Sequence, residues 1–319
     1  MFVFGDSLID NGNNNYLDSI AKSNYYPYGI DFFEGPTGRF CNGKTVIDGM
    51  CDLLDLPYLP AHANPNLNFS KLLAGVNYAS AAGGILDVTG TFLGGRYSLK
   101  QQVLNFEEDL TEIKALFSNE DDYNNFLSKS IVVMVLGSND YINNYLLPTL
   151  FTSSYTYTPK QYANLLLNEY TRQILAILSL GIRKFLLAGV GPLGCIPNQR
   201  ASSTGPTDQC VDQVNQMVGY FNRGLRSLVK QLNTDNPGSV YPNPTKYGRN
   251  HGQIICLPFA IPCIERDEYI FWDVFHPTEA VNMILAKRAY TGPPDDISYL
   301  PHQPSTAGSA LVERKQRTD

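Results

Sequence analysis

A run of six apolar residues at positions 131–136 is the feature that most constrains how this chain can fold. A strand that is apolar on both faces belongs in the middle of a parallel sheet, where helices cover both sides. The chain begins with a shorter run of the same kind at residues 2–4. Each run ends at a glycine, Gly5 or Gly137, that is followed by polar residues. Because open α/β sheets present ligands at the carboxyl ends of their strands, Ser7 is predicted to lie at such an edge.

The rest of the chain alternates predicted helices with short predicted strands. Apolar residues recur at helical spacing in the longer segments, and Pro or Gly residues mark several of the helix ends. This alternation is typical of an α/β protein with a parallel sheet. The predicted strands cover residues 2–4, 75–80, 131–136, 184–190 and 239–241, and the predicted helices cover residues 16–20, 45–54, 99–117, 158–180, 211–232 and 277–290.

Length and charge narrow the class of protein. With 319 residues, 43% of them hydrophobic, the chain can bury a large core, and we predict one domain over residues 1–302 with a disordered tail at 303–319. The net charge of −6, without a run of Lys and Arg longer than two residues, predicts no nucleic-acid partner and favours an uncharged or hydrophobic small molecule. The longest apolar stretch, residues 174–182, is too short for stable membrane insertion. The sequence makes no prediction of the oligomeric state.

The cysteines indicate an oxidising compartment. Cys195 and Cys210 enclose one short loop, and Cys256 and Cys263 enclose another, although the connectivity of the six cysteines stays open. A single glycosylation acceptor at Asn68 points weakly the same way. The first strand begins directly after the first residue, which leaves no room for a signal peptide in this sequence. We therefore expect a secreted, extracellular protein whose sequence is either the mature form or a truncated gene model.

Four histidines limit the chemistry that Ser7 can take part in. A serine hydroxyl is a poor nucleophile until a base takes its proton, and a third group must orient that base. Pro277 fits the first position of a helix, so His276 lies at a predicted helix entrance. His276 is also the only one of the four that has an aspartate, Asp273, three residues before it at such an entrance. His276 is the candidate base by elimination. The alternatives are that Ser7 and His276 are ordinary helix caps, or that Ser138, which also follows a strand and a glycine, is the nucleophile.

A developing oxyanion would also need fixed hydrogen-bond donors. The backbone N–H of Ser7, a backbone N–H at Gly84 and the side-chain amide of Asn139 could supply them, although each residue alone could be an ordinary turn residue. Two other motifs are not met. Ile9 stands where the G-x-S-x-G motif requires glycine, and the spacing after Asp10 does not fit a calcium loop.

Together these segments resemble the GDSL esterase/lipases, the plant branch of the SGNH hydrolases. The resemblance covers roughly residues 2–292, and it rests on several short blocks that occur in the family's order. The blocks are Gly5-Asp6-Ser7-Leu8, Asn77-Tyr78-Ala79-Ser80 with Gly84, Gly137-Ser138-Asn139-Asp140, residues 189–195, Asp273 to His276, and Phe275-His276-Pro277-Thr278-Glu279.

The resemblance implies a flavodoxin-like three-layer α/β/α sandwich around a five-stranded parallel sheet. It implies that Ser7 is the nucleophile and an oxyanion donor, that Gly84 and Asn139 are the other donors, and that Asp273 orients the base His276. The implied reaction is hydrolysis of acyl or lipid esters through an acyl-enzyme on Ser7, without a metal or an organic cofactor.

The sequence departs from the family pattern at three places, and these keep two other functions open. The leader of the family is missing, the tail differs, and residues 241–256 look shortened, without the cysteine pair expected before Cys256. A non-catalytic relative that binds lipids or glycans is one alternative. The other is an acyltransferase that uses the same triad on an alcohol.

Overall fold

The computed structural model describes residues 1–67, 69–203, 209–236 and 256–291. Within these residues a parallel sheet has the strand order β1-β2-β3, with β1 at Phe2–Gly5, β2 at Ile131–Val135 and β3 at Lys184–Leu187. The central position of β2 agrees with its apolar character on both faces. The prediction of an α/β protein with a parallel sheet is therefore confirmed.

The sheet has three strands in the described part of the chain, not the five that were expected. The segment predicted as a strand at 75–80 runs beside β1 but forms only isolated parallel bridges, from Asn77 to Val3 of β1 and from Asn77 to Ala61. The N–H of Asn77 bonds to Pro60 and its carbonyl accepts the N–H of His62 and a side-chain N–H of Asn13, so its backbone groups serve the surrounding loops instead of a further strand. The predicted strand at 239–241 lies outside the described residues.

Six longer helices surround the sheet in the described ranges. They are α1 at Val46–Leu54, α2 at Leu99–Lys114, α3 at Glu120–Lys129, α4 at Pro159–Ser179, α5 at Asp212–Asp235 and α6 at Glu279–Thr291. Shorter α-helical turns lie at Ser138–Asp140, Ser153–Thr156 and Pro197–Ser202, a π-helical turn lies at Tyr141–Tyr145, and 3-10 turns lie at Asn13–Tyr16, Phe69–Ala74, Thr91–Leu93, Leu193–Cys195 and Arg266–Glu268.

The two faces of the sheet bury two separate apolar clusters. Phe4 and Met134 point into the larger cluster, which α2, α4 and α5 complete, whereas Val3 and Val133 point into a smaller cluster completed by α1 and α6. Alternate residues of a strand face opposite sides of a sheet. Burial of both faces fixes the strand order and holds the carboxyl ends of β1 and β2 side by side.

Two predicted helix positions need correction. A helix at 16–20 was expected, but the chain forms a 3-10 turn at Asn13–Tyr16 and then continues in other conformations. The helix expected from Pro277 begins at Glu279, because Pro277 forms an antiparallel bridge with Phe271. One helix, α3, was not predicted.

The cysteines divide into one pair and four free thiols among the described residues. Cys195 and Cys210 are joined by a disulfide bond, as one of the short loops suggested. Cys256 and Cys263 are not joined: Cys263 is exposed, and the thiol of Cys256 faces the carbonyl of Trp272 at 3.8 Å. Among the described helices, none combines the length and the apolar character needed to cross a membrane.

Candidate active site

Ser7 stands on a short turn at the carboxyl end of β1. The side chain of Gln102 in α2 holds this turn, because its amide bonds to both the N–H and the carbonyl of Gly5, at 2.9 and 2.8 Å. A carboxylate oxygen of Asp6 accepts the N–H of Leu8 at 3.0 Å. The turn therefore leaves Ser7 partly exposed at the wall of a cavity, at the sheet edge predicted for it.

Asp273 and His276 lie in a narrow loop that precedes α6. The N–H of Trp272 bonds to the carbonyl of His276 at 2.7 Å, and the N–H of Thr278 bonds to the carbonyl of Ile270 at 3.0 Å. The sequence placed His276 at or near the N-cap of the helix, and it lies three residues before the helix begins, in a hairpin-like loop. Because these two backbone hydrogen bonds close the loop, the side chains of Asp273 and His276 are fixed relative to each other.

Ser7, His276 and Asp273 form one hydrogen-bonded chain. The Nε2 atom of His276 is 2.7 Å from the hydroxyl oxygen of Ser7. On the other side of the ring, Nδ1 is 2.8 and 2.9 Å from the two carboxylate oxygens of Asp273. With Nδ1 as the donor to the carboxylate, Nε2 is the nitrogen that accepts a proton from the serine.

The carboxylate of Asp273 is buried yet held in its ionised form. Burial alone raises the pKa of this group, but the charge and hydrogen bond of His276, the hydroxyl of Tyr28 and the N–H of Phe275 outweigh it, so that the pKa lies below its usual value. Hydrogen bonds to a carboxylate favour its charged form. A negative charge is therefore available next to the imidazole.

Asn139 contributes an oriented amide to the same cavity. Its Oδ1 accepts a hydrogen bond from Asn143 at 2.7 Å, and its Nδ2 donates to the carbonyl of Gly83 at 2.9 Å. A side-chain amide has two N–H donors. One donor of Asn139 is consequently left for another partner, and Asn139 lines the cavity.

Gly84 does not line the cavity, whereas Ala82 does. A Cβ at position 84 would lie 2.4 Å from the side chain of Thr89 and 2.7 Å from that of Asp140, so tight packing is the reason for this glycine. Ala82 has a φ of 63°, which is uncommon for a residue other than glycine. Its N–H, like that of Ser7, has no acceptor within the described residues.

Two buried carboxylates support the turns around Ser7 and Asn139. Asp140 accepts the N–H groups of Ile85 and Leu86 and the hydroxyl of Thr89, which ties the glycine-rich loop to the end of β2. Burial raises the pKa of Asp140 to about 6. Burial also raises the pKa of Asp6 to about 7, only partly offset by the N–H of Leu8 and by His276, and one oxygen of Asp6 has no partner among the described residues.

The rival residues are placed differently. Ser138 lines the cavity but has no hydrogen bond to a histidine within the described part of the chain. His62 pairs with Asp109 at 2.9 Å. His251 and His302 lie outside the described residues. Across the described ranges, no cluster of three metal-ligating side chains is found.

The cavity beside Ser7 has a volume of about 460 Å³ and a mainly apolar lining. Residues from distant parts of the sequence line it, among them Ile20, Phe92, Ile142 and Phe275. The aromatic-rich loop at 24–40 was expected from the sequence to form part of an apolar pocket wall, and its residues Tyr28 and Phe40 do line the cavity. The sequence indicated no partner for either ring, and it did not point to Ala82, which also lines the cavity.

Comparison with known proteins shows the family of the chain. The family model of GDSL-like lipase/acylhydrolase proteins matches residues 1–289. The Arabidopsis thaliana protein GDSL esterase/lipase At1g71250 is 51% identical over 321 residues, which cover 93% of this chain and 86% of the relative. GDSL esterase/lipase At5g08460 of the same plant is 50% identical, with 93% of this chain and 84% of the relative covered. GDSL esterase/lipase 7 is 45% identical, with 91% and 87% covered.

A chain with these relatives is a carboxylic ester hydrolase. Within that class it belongs to the GDSL-like lipase/acylhydrolase family, as the sequence blocks indicated.

Proposed function

We propose that this chain hydrolyses acyl and lipid esters through a covalent acyl-enzyme on Ser7. The observation that carries the proposal is the 2.7 Å contact between Ser7 Oγ and His276 Nε2, with the buried carboxylate of Asp273 on the opposite side of the ring. A nucleophile within hydrogen-bond reach of a base that a third group orients is the arrangement that serine hydrolysis needs.

The reaction follows from the positions of these atoms. His276 takes the proton of Ser7 as the serine oxygen bonds to the carbonyl carbon of the ester. His276 then gives this proton to the alcohol as its bond to the acyl carbon breaks. In the second half, His276 takes a proton from water, the hydroxide attacks the acyl-enzyme, and the proton returns to Ser7 as the acid leaves.

The oxyanion of each tetrahedral intermediate would be bound by three donors. Ser7 supplies its backbone N–H, Asn139 its remaining amide hydrogen, and the glycine-rich loop a further N–H. The sequence pointed to Gly84 for this third donor. Ala82 is better placed, because it lines the cavity and Gly84 does not.

The lining of the cavity favours an acyl substrate. Apolar side chains form most of the wall next to Ser7, so an alkyl chain would gain from leaving water there. We further propose a single domain over residues 1–302 with a three-layer α/β/α fold of the SGNH type, and a secreted, extracellular location. The two apolar clusters on one sheet support the domain, and the Cys195–Cys210 disulfide supports the location.

The experiment compares the wild type with Ser7→Ala on short- and medium-chain p-nitrophenyl esters. Ser138→Ala is the matched control, since it removes a hydroxyl from the same cavity, and circular dichroism shows whether each protein is folded. We expect activity in the wild type and in Ser138→Ala, and loss of more than about 10³-fold in Ser7→Ala. A fluorophosphonate should add its mass to Ser7 in the wild type and leave Ser7→Ala unlabelled.

The other results have distinct meanings. A folded wild type that neither hydrolyses esters nor reacts with the fluorophosphonate would overturn the proposal in favour of a binding protein. Loss of activity in Ser138→Ala instead of Ser7→Ala would assign the nucleophile to Ser138. Transfer of the acyl group to an added alcohol, at the expense of free acid, would indicate an acyltransferase.

A further inference from the structure

The segment from Tyr25 to Asn42 places two aromatic rings against the Asp273–His276 pair. The hydroxyl of Tyr28 donates a hydrogen bond of 2.6 Å to Oδ2 of Asp273. The ring of Phe40 lies 5.0 Å from the imidazole ring of His276. The two partners Tyr28 and Asp273 are 245 residues apart in the sequence.

Tyr28 is itself rigidly held. Its side chain is 1% exposed, and its N–H bonds to the carbonyl of Tyr25 at 3.0 Å. Its ring packs edge to face on Phe40 at 5.9 Å. The next residue, Gly29, bonds through its N–H to the carbonyl of Cys41 at 2.9 Å, which closes the segment upon itself. These contacts hold the ring, and with it the hydroxyl, in place beside Asp273.

That position completes the set of partners of the carboxylate. Oδ1 accepts the N–H groups of Phe275 and His276, both at 2.8 Å, and Oδ2 accepts the hydroxyl of Tyr28. Both oxygens also face Nδ1 of His276. With a donor fixed at each oxygen, the carboxylate cannot rotate away from the imidazole. Burial and the neighbouring carboxylate raise the pKa of Tyr28 far above its usual value, so the phenol stays a donor.

We propose that Tyr28 is a positioning residue for the reaction, acting through its hydrogen bond to Asp273. The inference rests on the proposed function, in which His276 becomes a cation each time it takes a proton from Ser7 or from water. The carboxylate of Asp273, held beside the ring, stabilises the imidazolium of His276 as it forms. Because the phenol of Tyr28 is neutral, its hydrogen bond leaves the negative charge of the carboxylate in place.

The test is a double-mutant cycle on hydrolysis of p-nitrophenyl acetate. Tyr28→Phe keeps the ring and removes only the hydroxyl. Tyr170→Phe is the matched control, because Tyr170 is also fully buried, within the larger apolar cluster, and its hydroxyl has no partner among the described residues. We expect Tyr28→Phe to lower kcat about 10- to 100-fold, the range of a hydrogen bond to a charged group, with KM unchanged. Tyr170→Phe should retain wild-type kcat and KM.

The second arm separates positioning from a structural role. In the Asp273→Ala background, Tyr28→Phe should change kcat by less than twofold, since the partner is gone. If Tyr28→Phe alone is unfolded, Asp273→Ala can still be compared with the double variant. The double variant removes both partners of the hydrogen bond and so leaves neither group buried without a partner. A further loss of kcat in the double variant, or wild-type kcat in folded Tyr28→Phe, would overturn the inference. Inactivity of the wild type and of Tyr170→Phe would instead overturn the proposed function.

Discussion

At the scale of single residues, Asn139 shows how hydrogen bonds can orient the side chain that we propose as an oxyanion donor. Its amide oxygen is held by Asn143, and one of its N–H groups is held by Gly83. These two bonds fix the direction of the remaining N–H. A donor that needs no reorganisation stabilises a developing oxyanion far better than water does.

We therefore expect Asn139→Ala to lower kcat by roughly 10²–10³ while KM changes little, as for loss of an oxyanion donor. Steady-state kinetics on p-nitrophenyl butyrate measures both constants. Asn143→Ala is the control, because it removes the amide that orients Asn139 without removing the proposed donor itself, and its effect should be smaller. If Asn139→Ala retained kcat within a factor of about three, its amide would not bind the oxyanion.

Most of the candidate site could be predicted at this scale, and part of it could not. Ser7, Asn139, Asp273 and His276 stand in short local blocks, so their association could be inferred from the sequence. Tyr28 and Ala82 could not be found in this way. Tyr28 meets its partner only through the tertiary fold, and Ala82 is identified by its backbone angle and by its place in the cavity wall.

At the scale of elements, α4 is the helix whose limits the sequence defined best. The hydroxyl of Thr158 accepts the N–H of Gln161, and the side chain of Gln161 accepts the N–H of Thr158 at 2.9 Å. Pro159 occupies the first helical position. Such a capping box satisfies backbone donors that the helix itself leaves unpaired.

Thr158→Ala should lower the free energy of unfolding by about 1 kcal/mol, the usual effect of losing an N-cap hydroxyl. Urea denaturation followed by circular dichroism measures the change. Thr171→Ala is the matched control inside the same helix, where the hydroxyl bonds to the carbonyl of Leu167 and alanine is a better helix former. Equal losses in both variants would show that the capping box does not stabilise α4.

Other elements depended on contacts that no local pattern reveals. The preference of proline for the first helical position predicted a helix start at Pro277, two residues too early. Pro277 pairs with Phe271 in an antiparallel bridge instead, and the helix begins at Glu279. The missed helix α3 does carry a signal. Asn119 caps it through a bond to the N–H of Asp122 at 2.9 Å, and three acidic residues follow in its first turn. Such residues favour the N-terminus of a helix.

At the scale of the whole molecule, three buried carboxylates link stability to pH. Burial raises the pKa of Asp6 to about 7 and the pKa values of Asp10 and Asp140 to about 6. Between the unfolded pKa near 4 and these values, the folded state binds protons that the unfolded state has released. Stability from these groups is therefore lost as pH rises through that window. The lowered pKa of Asp273 acts in the opposite direction, so that its contribution is lost as the solution becomes acidic.

Asp6→Asn tests this linkage. As the pH rises from about 5 to about 8, the Tm of the wild type should fall more steeply than the Tm of Asp6→Asn. The variant has no carboxyl group at position 6 that could ionise. One unit of pKa corresponds to about 1.4 kcal/mol, so Asp6 accounts for at most about 4 kcal/mol across the window. Differential scanning calorimetry at several pH values measures the slopes, with the exposed Asp121→Asn as control. Parallel curves for wild type and Asp6→Asn would refute the assignment.

The sequence by itself determined the class of fold, the central strand, the family and the local blocks of the site. These features depend on periodicity and on neighbours within a few residues. The tertiary structure alone decided which N–H groups face the cavity and which hydroxyl meets Asp273. It also decided that residues 75–80 form a single bridge to β1 instead of a strand. The physical reason is that hydrogen bonds between distant segments depend on how whole elements pack together, and no local pattern encodes which distant group will be nearest.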